Sequence, residues 1–225
     1  MELLFVRHAQ PAWSRNGLSV DDPELTPIGH EQAALLAKRL SAVTVDELLV
    51  SPLIRARQTA EPIADALGLE PVVEPWLAEI AAPEWEGTPT EEVERIFREN
   101  RERGVDELWD GLPGGESFRD FHRRVTNGVI GLLERRGAEP VTEFPPLWQL
   151  ADRDARILVV AHAGTNATAI GWLLGIAPVP WEWERFVSFH ASVSTLQPIA
   201  ISGAHAFSLV RFSDVSHLPE ELQTR

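Results

Sequence analysis

Arg7-His8 closes the apolar run Leu3–Val6, and His162 closes a second run, Ile157–Ala161. Two further polar groups follow strand-like segments: Arg55, just past Ser51-Pro52, and Glu79, just past Glu70–Leu77. In an open α/β sheet, ligands bind outside the carboxyl ends of the strands. If these ends converge, one pocket holds two arginines, two histidines and a carboxylate. Arginine forks grip tetrahedral oxyanions bidentately, and the first turn of a helix adds free N–H groups. A neutral imidazole in that setting can attack phosphorus, and a carboxylic acid can protonate the departing oxygen. The chemistry these residues suit is phosphoryl transfer without a metal.

The elements that must position them follow from hydropathy and punctuation. Leu3–Val6 and Ile157–Val160 have the continuous apolar character of strands buried on both faces. Thr26-Pro27 caps a helix whose buried face is Ala33, Leu36, Ala37 and Leu40. Val45–Val50 predicts a strand, and Ser51-Pro52 repeats the cap device, which puts Arg55 in the first helical turn. Pro62 predicts a kink or break in that helix, and Gly68 its end. Glu70–Leu77 predicts a third strand. Thr90 caps a helix carrying Val93, Ile96 and Phe97. Ser117 caps another, with Phe118, Phe121, Val125, Val129 and Leu132 at helical spacing. Residues 138–154 read as a loop excursion, a candidate lid with the insertion. Gly164-Thr165-Asn166 leads into a helix, and Phe186–Leu196 and Ala206–Phe212 are β-rich. The pattern predicts a three-layer α/β/α fold with a mostly parallel central sheet. It forms a single domain over residues 1–225, with a helical cap insertion at about 83–137 over the active-site end.

In the same places, and in order along most of the chain, stand LLFVRHAQP, LTPIGHEQA, SPLIRARQTA, WLAEI with EWEG, PGGES and VVAHAG. Together they resemble the histidine phosphatase superfamily, the phosphoglycerate mutase-like fold of its branch 1. The resemblance implies that His8 is the nucleophile that becomes phosphorylated. It implies that Arg7, Arg55 and His162 hold the phosphoryl oxygens, with backbone N–H groups near Gly164 completing the cradle. Glu79 becomes the general acid and then the base that activates water, although Glu84 and Glu86 lie close enough in sequence to compete. Ser14 stands where the family commonly has a phosphate-binding asparagine, and Ala9-Gln10 where it often has Gly-Glu. Glu116 reads as an acidic residue at a helix N-terminus, near the pocket in family proteins. His122 reads as packing, and His30, His190, His205 and His217 have no supporting constellation.

Family mutases surround a second phosphate with basic residues just after the Glu motif. Here Ala81-Ala82-Pro83-Glu84-Trp85-Glu86-Gly87 is acidic and apolar. The expectation is therefore a phosphomonoesterase acting on a small phosphorylated metabolite. A mutase-type phosphotransferase and a non-catalytic phospho-ligand module are the alternatives. Composition narrows the classes further. The chain has 225 residues, no cysteine and a formal net charge of −14. The missing cysteine excludes a thiol nucleophile and any Cys-ligated metal. The negative charge disfavours nucleic acid and anionic membrane as partners. No cofactor and no metal are expected: Arg7 and Arg55 would compete with a cation, and no two histidines have helical ligand spacing. Met1-Glu2 and the brief run before Arg7 do not form a signal peptide, and Ala169–Trp181, cut by Pro178 and Pro180, is too short to span a bilayer. A cytoplasmic location is expected, and a homodimer is compatible with the sequence.

Overall fold

The computed structural model describes residues 1–142 and 144–225. In chain order its strands and helices are β1 (Glu2–Arg7), β2 (Ser14–Arg15), β3 (Leu18–Ser19), α1 (Pro27–Leu40), β4 (Glu47–Val50), α2 (Ile54–Leu67) and β5 (Val72–Val73). Then come α3 (Thr90–Arg101), α4 (Val105–Asp110), α5 (Phe118–Arg135), β6 (Ala138–Thr142), β7 (Leu147–Leu150), β8 (Arg156–Ala161) and α6 (Ala163–Leu173). The chain finishes with α7 (Glu182–Arg185), β9 (Val193–Ile201) and β10 (Ala204–Asp214). One sheet runs in the order β5-β4-β8-β1-β9-β10-β7-β6. The pairs β5–β4, β4–β8 and β8–β1 are parallel, and the pairs from β1–β9 outward are antiparallel.

The central strands are buried on both faces, so their side chains alternate between two cores. Leu3, Phe5, Leu49, Ile157 and Val159 pack with Phe121, Val125, Val129 and Ile170 of α5 and α6. Leu4, Val6, Leu48, Val50, Leu158 and Val160 pack with Leu36, Leu40 and Ile63 of α1 and α2. Each fully buried aliphatic side chain contributes roughly 1.5–3 kcal/mol. These contacts fix which way each strand end faces.

Several boundaries differ from the sequence reading, each for a physical reason. Ser51-Pro52 does not cap α2, which begins at Ile54 with Leu53 in the N-cap position. Both Asp22 carboxylate oxygens accept from the Ile54 N–H, at 3.0 and 3.2 Å, so a distant loop supplies the cap. Pro62 lies inside α2 without ending it; Ala60, Ile63 and Ala64, packed on Ala33, Leu36 and Ala37, offset the lost hydrogen bond. The strand expected at Glu70–Leu77 shrinks to Val72–Val73, because Pro71 and Pro75 flank it and remove ladder donors. The loop expected at 138–154 contains the hairpin β6–β7 on the far edge of the sheet, anchored by the buried Trp148 opposite His205. Glu143 of that segment lies outside the described residues. Pro145 and Pro146, between the two strands, meet Gly175 beyond the C-terminal end of α6, away from the His162 end of that helix. Within the expected insertion, α5 belongs to the main core, whereas α3 buries only Val93 and α4 buries nothing. Strand β9 starts at Val193, leaving residues 186–192 as irregular chain.

Candidate active site

Parallel pairing of β1 with β8 sets Arg7 opposite Ala161, so the next residues, His8 and His162, emerge side by side. Their ring centroids are 5.1 Å apart, and both side chains are buried. The Nδ1 of His8 lies 2.7 Å from the carbonyl of Ala9. A carbonyl only accepts, so Nδ1 carries the proton and Nε2 keeps the lone pair. Burial, with His162, Arg55 and Arg7 adding to it, holds His8 well below the usual histidine range. It is therefore neutral at ordinary pH, with the Nε2 lone pair free.

His162 occupies the N-cap position of α6 and meets the Ser51 hydroxyl through Nε2 at 2.7 Å. That hydroxyl accepts from the Leu53 N–H at 3.3 Å, leaving its own proton for the imidazole. The proton of His162 then sits on Nδ1, which is buried and has no hydrogen-bond partner among the described residues. Burial, with Arg55 and Arg7 next, lowers the His162 pKa as well.

Arg55 emerges from the first turn of α2 and is only 3% exposed. Its guanidinium lies 4.7 Å from the Trp13 ring and 3.4 Å from Asp22. Arg7 donates through Nη1 to the Ser188 carbonyl at 2.5 Å and through Nη2 to His190 Nε2 at 3.0 Å. Burial lowers Arg7 to about 10, with Glu79 opposing and Arg55 assisting that shift. The Nε atoms of both arginines are likewise buried and, among the described residues, without a partner. Buried donors without acceptors are rare and costly. Three such donors belong to residues that neighbour the neutral His8 imidazole.

Glu79 is the carboxylate that joins this cluster; Glu84 and Glu86 are exposed on the segment beyond it. Its Oε2 accepts from the Gly164 N–H at 2.8 Å, and its Oε1 from the Ile80 N–H at 3.0 Å and the Thr165 hydroxyl at 3.4 Å. Gly164 is required for this approach: a Cβ there would come 2.5 Å from Glu79 Oε1. The Gly164 N–H expected in the phosphate cradle is therefore committed to Glu79. Ser14 is also displaced from the expected role. It lies exposed on β2 with its hydroxyl 3.0 Å from Thr90 Oγ1, outside the cluster.

Two participants escaped the sequence reading. Arg124 of α5 donates to the carbonyls of Trp76 and Ala78 at 2.9 and 3.0 Å, and its Nη2 meets Glu116 at 2.7 Å. It thereby pins the segment that presents Glu79, and Glu116, read from the sequence as an acidic residue at a helix N-terminus, is its counter-ion. His190, whose ring is 5.6 Å from that of His8, backs Arg7. Its only sequence signal is its position just before a strand that pairs with β1.

A family model described as histidine phosphatase superfamily (branch 1) matches residues 3–200. The chain belongs to this superfamily. Its members include enzymes named as phosphatases and as phosphoglycerate mutases, and this family member is an enzyme of the histidine phosphatase type. A Hydrogenobacter thermophilus protein named for phosphoserine phosphatase activity is 32% identical over 221 residues, covering 96% of each chain. A Yersinia enterocolitica protein named for phosphoglycerate mutase activity is 29% identical over 182 residues, covering 79% of this chain and 77% of its own. The fold matches a mycobacterial glucosyl-3-phosphoglycerate phosphatase solved with VO3, at a TM-score of 0.72 and 24% identity. That match covers 94% of this chain and 98% of the other. Among the described residues no helix is long and apolar enough to cross a membrane.

Proposed function

We propose that this histidine phosphatase hydrolyses a small phosphomonoester, without a metal, through a phosphohistidine at His8. His8 Nε2 attacks phosphorus as the ester P–O bond breaks, and the Glu79 carboxyl gives its proton to the departing oxygen. Glu79 then takes a proton from water, which attacks phosphorus. The N–P bond breaks, and inorganic phosphate leaves His8 free. Arg7, Arg55 and His162 hold the three non-bridging oxygens and stabilise their charge in the transition state.

The observation that carries this reading is the set of unpartnered buried donors, Arg7 Nε, Arg55 Nε and His162 Nδ1, gathered around a neutral His8. A tetrahedral oxyanion satisfies all three. The same two arginines repel a divalent cation from the pocket, which supports metal independence.

The Yersinia relative's name favours a second reading, a mutase-type phosphotransferase. Against it, Ala81, Ala82, Glu84 and Glu86 are exposed on the segment beyond Glu79, giving an acidic and apolar rim that disfavours a second phosphate. A panel of phosphorylated metabolites, including phosphoserine, glucosyl-3-phosphoglycerate and α-ribazole phosphate, tests both readings. It is run with and without 2,3-bisphosphoglycerate and with excess chelator. Phosphate release that survives chelation and ceases in His8→Ala is expected. Isomer formation that depends on the bisphosphate, without phosphate release, would favour the mutase.

A further inference from the structure

One buried histidine beside the nucleophile has no part in the chemistry above. His190 meets Arg7 Nη2 through Nε2 at 3.0 Å and Thr224 Oγ1 through Nδ1 at 2.9 Å. A guanidinium only donates, so Nε2 must hold a lone pair and Nδ1 a proton that goes to the threonine. Burial, helped by the charge of Arg7, lowers His190 to about 3, so this tautomer persists at any working pH.

The threonine is itself fixed. Its hydroxyl also accepts from Gln32 Nε2 at 2.9 Å, and its backbone carbonyl accepts from the His190 N–H at 2.9 Å. Gln32 is fully buried, donates to the Leu222 carbonyl at 2.7 Å, and accepts from the Gln10 N–H at 2.8 Å. A continuous relay therefore runs from Gln10, two residues past the nucleophile, through Gln32, Thr224 and His190 to Arg7. Leu218 and Leu222 are buried, so the chain from 218 to 224 lies as an anchored strap, not a loose tail.

Arg7 is thus gripped from behind by Ser188 and His190 while its Nε stays unpartnered. A long flexible side chain needs such a grip if its remaining donors are to face a phosphoryl group without an ordering cost at binding. We infer that His190 is a positioning residue for Arg7, locked in its acceptor tautomer by Thr224, and that the strap 218–224 is therefore a structural part of the phosphate site. The inference rests on the phosphatase reading, because it takes the free face of Arg7 as the phosphoryl contact.

The test measures kcat and KM on p-nitrophenyl phosphate, calorimetric affinity for inorganic phosphate, and Tm. His190→Phe, which cannot accept from Arg7, is expected to weaken phosphate binding and kcat/KM by about ten- to a hundredfold. His190→Gln restores an acceptor and should recover most of that loss. Thr224→Val keeps the shape of the strap but frees the His190 tautomer, and should lower both quantities several-fold. In an Arg7→Met background, His190→Phe should add no further loss of phosphate affinity.

Wild-type phosphate affinity in both His190→Phe and Thr224→Val overturns the relay. So does a His190→Phe defect that persists undiminished in the Arg7→Met background. If His190→Phe does not fold, Thr224→Val and His190→Gln carry the comparison, and wild-type affinity in Thr224→Val is then decisive against it. A wild-type protein that neither binds phosphate nor hydrolyses the ester overturns the phosphatase reading itself, a result distinct from the others.

Discussion

Gly164→Ala should separate the proposed acid, Glu79, from the proposed phosphate grip. Gly164 stands in the first turn of α6, and an added Cβ would lie 2.5 Å from Glu79 Oε1, 3.1 Å from Cδ and 3.2 Å from Oε2. The carboxylate must retreat by roughly half an ångström or more to reach a tolerable contact. Its 2.8 Å hydrogen bond from the Gly164 N–H stretches with it. Positioned general acids contribute about 10²- to 10⁴-fold, and a displacement near 1 Å can cost about 10²-fold. An alkyl phosphate, whose departing oxygen needs a proton, should lose about a hundredfold in kcat/KM, or ~2.7 kcal/mol. p-Nitrophenyl phosphate, with a good leaving group, should lose less than about tenfold. Overpacking at this buried first-turn position costs about 1–3 kcal/mol, only partly offset by alanine's helix preference, so Tm should fall modestly while activity on the alkyl ester falls about a hundredfold. Steady-state kinetics on both substrates, with a thermal melt, reads all three quantities. Equal losses on the two esters, or none, would refute the assignment of Glu79 and its dependence on Gly164.

Glu79→Gln should show the same leaving-group dependence more steeply, and a flat loss across substrates would mean that another group is the acid. Ser14→Ala should leave phosphate affinity within about twofold, since the exposed Ser14 hydroxyl, 3.0 Å from Thr90 Oγ1, makes no contact in the cluster; a tenfold calorimetric loss would return Ser14 to the pocket. Stability should also fall with acidification. His8, His162 and His190 are held below their ordinary range, chiefly by burial, so below about pH 6.5 the unfolded chain binds protons that the folded one does not. Each then removes up to about 1.4 kcal/mol per pH unit from the folding free energy. Urea midpoints between pH 7 and 5.5 should shift less in His190→Gln than in wild type, by up to one proton's worth; identical slopes would show that His190 titrates normally.

The half of the molecule that carries His8 and His162 was legible because it is parallel. Apolar runs ending in Arg7-His8 and His162 announce strands whose carboxyl ends face one way, and a shared register then makes the two imidazoles neighbours. Arg55 was located correctly for a reason that was only half right. Its helix does begin after Ser51, yet Asp22 supplies the cap and leaves the serine hydroxyl free to orient His162. His190 was illegible because β9 is antiparallel to β1: nothing in the residues near 190 states that the strand they enter runs backward past His8. Arg124 was hidden for a different reason. Its partners are mostly backbone carbonyls of the segment 76–79, and a carbonyl carries no side-chain signature. Ser14 was misplaced because a position counted along a motif does not say which way a two-residue strand turns its side chain.

The place of β1 in the sheet bears on how the molecule comes to exist. Strand β1 is an interior strand, and its partners, residues 156–161 and 193–196, are made long after it. Until they emerge from the ribosome, Leu3-Leu4-Phe5-Val6 is an unpaired apolar β segment of the kind that drives association between chains. Closing contacts over such sequence separations carries a large entropic cost, so folding should be slow for a chain of this length. His8 follows directly on β1, so its pairing with His162 is assembled only after that closure.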